Sequence, residues 1–416
     1  MSAQIGLLPF EVALERIVAA ATDLRDARPP GLRQIGLWEA SGYVVAEDIL
    51  ADRDQPPFAR SMMDGYALRT EDVPGPEATL RVVGELAAGS WPAGPLGVGE
   101  AVVITTGAPL PPGADAVQMV ERTRRDGDRV VVLGGPFAPG HNISAQGEDA
   151  RTGDVVVERG RVIESLTAGV LGAVGTHHVP VYQRPRATVL TTGNELVGLE
   201  DVPAPGQIRD SNRRTLMAML EREWCRVIDG GIVPDDLGEI RRAVREGLES
   251  DVLVLSGGVS AGVYDLVREA LEDEGVEILF HKVAIRPGKP LLFGRHAGGL
   301  VFGLPGNPVS TFVTGLMLMA PALRVLGRRP EHRTWYLRLP LEGCIPETGG
   351  RTTFHPAEMV VGEDDRMVVR YRSWHGSADQ FSFARANVLI RREPGQAAAQ
   401  DGELVRVAIP HPLAAW

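Results

Sequence analysis

From residue 186 to residue 326, strand-like and helix-like segments alternate, and no other feature limits the chain's possible folds as strongly. RATVLTTG reads as a strand closing on a glycine turn, and DSNRRTLMAMLEREW as a helix with Asp210 or Ser211 at its N-cap. RVIDGGIV is a strand and LGEIRRAVREGLES a helix. DVLVLSGG, YDLVREALEDEG, GLVFGLPG and NPVSTFVTGLMLMAPALRVL repeat the cycle, the last helix with Pro308 in its first turn. Strands joined through helices of this length predict a parallel, doubly wound sheet.

The flanks have other textures. PFEVALERIVAAATDLR, residues 9 to 25, carries apolar residues at helical spacing. Residues 43 to 59 are extended and proline-marked. LRVVGEL, EAVVIT and RVVVLGG, between about 80 and 135, predict a small β-rich unit. A glycine-rich stretch from 140 to 165 follows, and after Pro330 the segments TWYLRLPL, MVVRYR, NVLIRR and ELVRVAI predict a C-terminal β domain. A chain of 416 residues accommodates several such domains.

Some function classes are disfavoured. TFVTGLMLMAPALRVLG is the most apolar stretch, but it holds a proline and ends in basic residues, so it predicts a buried helix and no membrane span. The N-terminus lacks a basic start followed by an apolar core, so no signal peptide is expected. Cys225 and Cys344 lie far apart without metal-type spacing, which predicts a reducing, cytoplasmic setting with neither disulfide nor zinc. A net charge of -11 argues against nucleic-acid binding. It leaves room for a small anion, which responds to local charge.

Local charge is concentrated in HKVAIRPGKP. Lys282 and Lys289 are the only lysines in a chain with 43 basic residues, and Arg286 lies between them. Lysine is a compact, mobile point charge where arginine is a planar fork, so a retained lysine suits a small oxyanion or phosphate.

Three strands of the alternating region end in VLTTGNE, VLSGGVS and FGLPGNP. Ligands of open α/β sheets bind beyond the carboxyl ends of the strands, where glycines let backbone N–H groups approach an anion. A single such turn is also what any tight connection requires. Three in one domain, with the lysine segment between the second and third, point to a phosphate-type ligand. None is a P-loop or a dinucleotide fingerprint. Near them stand Glu195, Asp210, Asp235, Asp236 and Asp265, and Asp64 lies in the turn SMMDGYA. Taken alone, each reads first as a cap or turn residue. As a group they could hold Mg²⁺, which commonly takes one or two carboxylates together with substrate phosphates. Ser256, Ser260 and Ser310 lie outside any G-x-S-x-G elbow, and His281 stands alone as a structural histidine.

Taken together, SMMDGYAL, TTGAPLPPGADAVQMVE, NISAQGED, TTGNEL, DSNRRTL, SGGVSAGVYD, IRPGKPLLFG and GLPGNPVST resemble the molybdopterin molybdenumtransferases, the MoeA and gephyrin E-domain family. They occur in that family's order over roughly residues 50 to 320, with a looser match beyond. The resemblance implies insertion of molybdenum from molybdate into adenylylated molybdopterin, with Mg²⁺ as cofactor and release of AMP. It implies a multidomain α/β protein with a doubly wound, MogA-like pterin-binding domain, an inserted β-rich domain and a C-terminal β domain. With the textures above, the divisions are a split, elongated N-terminal region (1–50 and 140–180, with helix 9–25 packing on the α/β domain), then 51–139, 181–328 and 329–416.

The family is homodimeric, and its site lies between the α/β domain of one subunit and the inserted domain of the other. Carried over, Asp64, Thr106, Asp149, Glu195, Asp235, Asp265 and Lys289 are catalytic, with Asp64 and Thr106 coming from the partner subunit. Glu195, Asp235 and Asp265 form an acidic wall with Mg²⁺ nearby. Gly257, Gly258 and Ser260 belong to the loop for the pterin phosphate or nucleotide. Arg286, Lys289 and Pro290, with Arg351 and Ser377, form the molybdate pocket. Gly193, Asp210, Ser256, Lys282, Pro305, Gly306, Asn307 and Ser310 are further substrate contacts. Implied partners are the adenylyltransferase that supplies the substrate and the molybdoenzyme chaperones that receive the product.

Three positions depart from the family pattern: Arg286 stands where lysine is frequent, and Ser144 and Pro356 where arginine is. Two other readings share the fold. An adenylyltransferase goes with a GGTG-like loop, whereas this chain has SGGVS. A non-catalytic scaffold would have no need of the acidic and basic residues retained here.

Overall fold

The computed structural model describes residues 7–258, 266–362 and 365–409. The chain forms two compact units. The first holds Met1–Ala46, Gly160–Leu166 and His178–Trp416, and the second holds Glu47–Arg159 and Thr167–His177.

The first unit is built on a six-stranded sheet. Its order is Arg226–Val233, Arg186–Thr192, Val252–Ser256, Gly299–Leu304, Pro290–His296 and Glu277–Lys282. The first four strands are parallel, as the alternation predicts, and Pro290–His296 runs antiparallel to both of its neighbours, Gly299–Leu304 and Glu277–Lys282. Apolar side chains leave both faces of the central strand: Val252 and Val254 enter one core, Leu253 and Leu255 the other. The first core also takes Leu216 and Leu220 from helix Ser211–Arg222 and the apolar surface of Pro308–Leu326. The second takes Ile240 and Val244 from helix Leu237–Gly247 and Val267, Ala270 and Leu271 from Leu266–Asp273. Helices on both faces make the sheet doubly wound.

Helix Phe10–Ala27 packs on the first core through Phe10, Ala13, Ile17 and Ala21, one helical face. It ends just before Pro29 and Pro30, which cannot continue it. Pro308–Leu326 is long and apolar enough to cross a bilayer, yet 89% of its apolar window is buried inside the fold.

The C-terminal strands Trp335–Glu342, Thr352–Val361, Met367–Tyr371, Val388–Arg392 and Leu404–Ile409 form a sheet that closes on itself, because Val388–Arg392 pairs with both Leu404–Ile409 and Thr352–Val361. The short strand Ile285–Arg286 joins it, with Ile285 beside Thr352 and Arg286 beside Thr353.

The second unit contains a six-stranded sheet in the order Ala116–Met119, Gly65–Leu68, Glu100–Ile104, Glu77–Leu86, Arg129–Leu133 and Thr123–Asp126. Tyr66 and Leu68 enter one small core and Ala67 the other, again by strand alternation.

Candidate functional site

The carboxyl ends of the four parallel strands open onto a cavity of about 980 Å³, the upper end of the range for small-molecule sites. The turns predicted from the glycines line it: Gly193 and Glu195 after Arg186–Thr192, Gly257 and Gly258 after Val252–Ser256, and Pro305, Gly306 and Asn307 after Gly299–Leu304. Gly257 has φ +99°, and a Cβ there would stand 2.2 Å from the Thr192 carbonyl oxygen, so only glycine fits.

Strand Pro290–His296 runs antiparallel to Gly299–Leu304, with Leu292 beside Gly303. Its first residue therefore lies at the edge where the parallel strands end. This reversal brings Arg286, Gly288, Lys289 and Pro290 into the same cavity as the glycine turns. Gly288 has φ +115° and a Cβ there would come within 2.3 Å of Thr314 Cγ2, so the turn before Lys289 also requires glycine.

Pairing of Ile285–Arg286 with Thr352–Thr353 then brings Arg351 alongside, and its Nη1 donates to the Ile285 carbonyl at 3.4 Å. Arg286, Lys289 and Arg351 all line the cavity, and among the described residues none of them forms an ion pair. The Ser377 loop closes this corner: Asn307 Nδ2 donates to Ser377 Oγ at 2.8 Å, and the Val309 N–H to the Ser377 carbonyl at 3.0 Å.

The carboxylates have divided duties. Asp210 is buried as the N-cap of Ser211–Arg222; it accepts from Arg213 N at 3.0 Å and from Thr191 Oγ1 at 2.6 Å. Asp236 caps Leu237–Gly247 through the Glu239 N–H at 3.0 Å. Asp235 and Glu195 remain exposed in the cavity. Asp235 and Asn194 bond reciprocally, N–H to side-chain oxygen in each direction, at 3.3 and 3.1 Å, fixing the two adjacent loops. From the Glu195 strand to the Lys289 strand is three strand spacings, about 14 Å. An elongated ligand can therefore touch carboxylates at one end and cations at the other.

Sixteen of the expected residues line the cavity: Gly193, Glu195, Asp210, Asp235, Ser256, Gly257, Gly258, Arg286, Lys289, Pro290, Pro305, Gly306, Asn307, Ser310, Arg351 and Ser377. Lys282 does not; it ends the edge strand Glu277–Lys282, beside Pro290. Ser260 and Asp265 lie outside the described residues. Asp64 and Thr106, in the second unit, meet as a pair: Asp64 Oδ1 accepts from Thr106 N at 2.7 Å and Thr106 Oγ1 at 2.9 Å. These bonds, the backbone one first, hold the Asp64 carboxyl below the usual range. Asp149 is exposed, its N–H bonded to the Gln55 carbonyl at 2.9 Å.

Three residues escape a reading based on motifs. Asn212, hidden in DSNRRTL behind the cap, donates to Ser256 Oγ at 2.9 Å and to the Gly306 carbonyl at 2.7 Å. Its Oδ1 is buried without a partner, as is Thr192 Oγ1. Trp374 is the third: the Arg286 guanidinium lies 5.7 Å from its ring centroid, and its indole N–H donates to His355 Nδ1 at 3.3 Å. Burial, then the Arg286 and Arg392 charges, push the His355 pKa down to about 4, so the ring stays neutral and keeps accepting at neutral pH.

Among the described residues no three His, Cys, Asp or Glu side chains gather as a metal site. Glu195 and Asp235 remain, two hard carboxylates at a cavity suited to phosphate. That donor set fits Mg²⁺, which takes its remaining ligands from water and substrate.

Known proteins match along almost the whole length. Residues 8–175 match the MoeA N-terminal region (domain I and II), 188–325 a probable molybdopterin binding domain, and 338–409 the MoeA C-terminal region (domain IV). A molybdopterin molybdenumtransferase of Haemophilus influenzae is 34% identical over 390 residues, covering 91% of this chain and 94% of the relative. One from Staphylococcus aureus strain Mu50 is 32% identical over 407 residues, 97% and 95% of the two chains. The crystal structure of the molybdopterin biosynthesis MoeA protein from Pyrococcus horikoshii OT3 superposes with a TM-score of 0.81 at 29% identity, covering 97% of this chain and 100% of that one. Three regional matches in the family's own order, and relatives above 30% identity over nearly their full lengths, place this chain in the MoeA family of molybdopterin molybdenumtransferases.

Proposed function

We propose that the cavity binds adenylylated molybdopterin and molybdate and forms molybdenum cofactor, with release of AMP. The observation that carries this reading is the gathering of Arg286, Lys289 and Arg351, cations without ion-pair partners among the described residues, at one end of a cavity that also holds Glu195 and Asp235. The three cations and Ser377 hold the tetrahedral oxyanion through charge-assisted hydrogen bonds. Gly257, Gly258 and the Pro305–Gly306–Asn307 turn receive the phosphates. Glu195 and Asp235 would hold Mg²⁺, which supplies charge neutralisation at the phosphates. Water adds across the anhydride and AMP leaves; the two dithiolene sulfurs bind the molybdenum in place of one oxo group of the molybdate, which departs as water with the two thiol protons.

The test is AMP release from adenylylated molybdopterin by purified protein. It is expected only with molybdate present, and it should fall when a chelator removes divalent metal and return on adding Mg²⁺. Release at the same rate without molybdate would sink the insertion reading. An unchanged rate in metal-free buffer would remove Mg²⁺ from it.

The working form is proposed as a homodimer in which Asp64 and Thr106 serve the cavity of the partner subunit. Mixing Asp64→Ala with Asp235→Ala and allowing exchange makes half of the dimers hybrids, each with one intact site. Activity should recover to about a quarter of the parent's, as expected for a two-fold assembly. Mixtures no more active than their components would place both residues in one subunit's site. The reaction is placed in the cytoplasm, where Cys225 and Cys344 stay reduced. An adenylyltransferase supplying the substrate and chaperones of molybdoenzymes are the proposed partners.

A further inference from the structure

A second cavity, of about 310 Å³, shares no lining residue with the first. Its volume is roughly ten times one water's share of the liquid. It lies where helices Phe10–Ala27 and Ala320–Leu326 end and where the chain leaves strand His178–Tyr182. Arg25, Arg28, Arg184, Arg186 and Arg328 line it against a single carboxylate, Asp251.

Three of these arginines have structural work. Arg25 pairs with Asp26 at 2.8 Å, and Arg28 with Asp251 at 2.8 Å. Arg328 Nη2 donates to the Arg25 carbonyl at 3.2 Å. Cations at helix C-termini are ordinary, because unpaired carbonyls there favour positive charge. Asp251 is doubly engaged, since it also accepts from the Arg186 N–H at 2.7 Å.

Arg184 and Arg186 follow a strand, so no helix end accounts for them. Arg186 is exposed, and its side chain has no partner among the described residues. Arg184 is held firmly and left unsatisfied. Its guanidinium lies 4.1 Å from the Tyr43 ring centroid and 4.5 Å from that of Trp224. Trp224 is fixed in turn, with φ +60° and its ring pressed against Gly42. Among the described residues no acceptor takes any Arg184 N–H, and Nε is buried without a partner. Stacking fixes the plane of a guanidinium and leaves its N–H edge free for an oxyanion. A rigid fork without acceptors, beside a second free arginine, is the arrangement that selects phosphate-type groups.

We infer that this cavity binds a small phosphoryl anion, as inorganic phosphate, pyrophosphate or a phosphomonoester, gripped by Arg184 and Arg186. The test is calorimetric titration of the full-length Lys289→Ala protein, in which the first cavity is weakened, with phosphate, pyrophosphate and AMP in separate runs. One equivalent of at least one of these should bind, and the tightest of the three identifies the ligand form. Added to that background, Arg184→Gln should weaken binding about tenfold or more, the loss of charge-assisted hydrogen bonds. Arg186→Gln should weaken it several-fold. In the parent sequence, Arg184→Gln should leave molybdate-dependent AMP release unchanged. If Arg184→Gln does not fold, Arg186→Gln decides, because that side chain is exposed. No binding by the Lys289→Ala protein, or equal binding after the arginine substitutions, overturns the assignment.

Discussion

Lys289→Ala is expected to raise the molybdate concentration for half-maximal AMP release by about 10- to 150-fold. That range is the loss of one charge-assisted hydrogen bond, roughly 1.5–3 kcal/mol, at 1.4 kcal/mol per tenfold. Lys289 is exposed in the cavity, no carboxylate among the described residues neutralises it, and the glycine turn before it fixes where it starts. Shape should matter as well as charge. Lys289→Arg keeps the charge but replaces a rotatable ammonium with a planar fork, and is expected to recover less than half of the lost free energy. Arg286 shows what a fork needs at such a site, namely an aromatic surface, which Trp374 provides. Lys282→Arg should be near neutral, because Lys282 lies off the cavity. A Lys289→Arg enzyme with the parent's molybdate dependence would remove the shape argument.

The parts of the fold readable from sequence are those where a single physical pressure acts. Parallel strands covered on both faces need continuous apolar runs, so VLVL and its neighbours announce themselves. The antiparallel pair Glu277–Lys282 and Pro290–His296 frames a turn dominated by charge and proline, and that chemistry masks it. Thr352–Val361 is masked by Pro356. There the strand is in register with Leu389 on one side, while pairing with Met367–Tyr371 begins only at Ala357, so the missing N–H costs no ladder bond.

The site follows the same division. Glycine turns are legible because only glycine fits them. That Arg286 and Arg351 meet depends on a two-residue strand pairing across 67 positions of sequence, and no local pattern encodes it. Asp210, taken alone, reads first as a cap, and the structure commits its carboxylate to the cap although the residue lines the cavity. Asn212 matters through what its amide leaves unpaired, which only packing reveals.

Arg324→Met is expected to destabilise the protein by about 3 kcal/mol, the low end of the cost of orphaning one member of a buried ion pair. Arg324 is the one charged residue of helix Pro308–Leu326, and it and Glu223 are 4% and 7% exposed. The pair is bidentate, Nε to Oε2 at 2.7 Å and Nη2 to Oε1 at 2.6 Å. Arg222 and Arg329 also face Glu223 and would partly compensate it, which sets the cost at the low end. The consequence should reach the site. Glu223 follows helix Ser211–Arg222, whose N-terminus carries Asp210 and Asn212. Arg324 ends a helix about 27 Å long, whose N-terminus carries Asn307 and Ser310. The ion pair thus ties the far ends of two helices whose near ends form the cavity wall. Denaturant unfolding should show the loss in Arg324→Met and part of it regained in Glu223→Leu/Arg324→Met, because the double variant leaves no buried carboxylate alone, while Arg222 and Arg329 lose the charge they face. A double variant as unstable as the single would mean that the attraction itself stabilises the fold. An Arg324→Met protein within about 1 kcal/mol of the parent, the upper limit for exposed pairs, would mean that water reaches the pair.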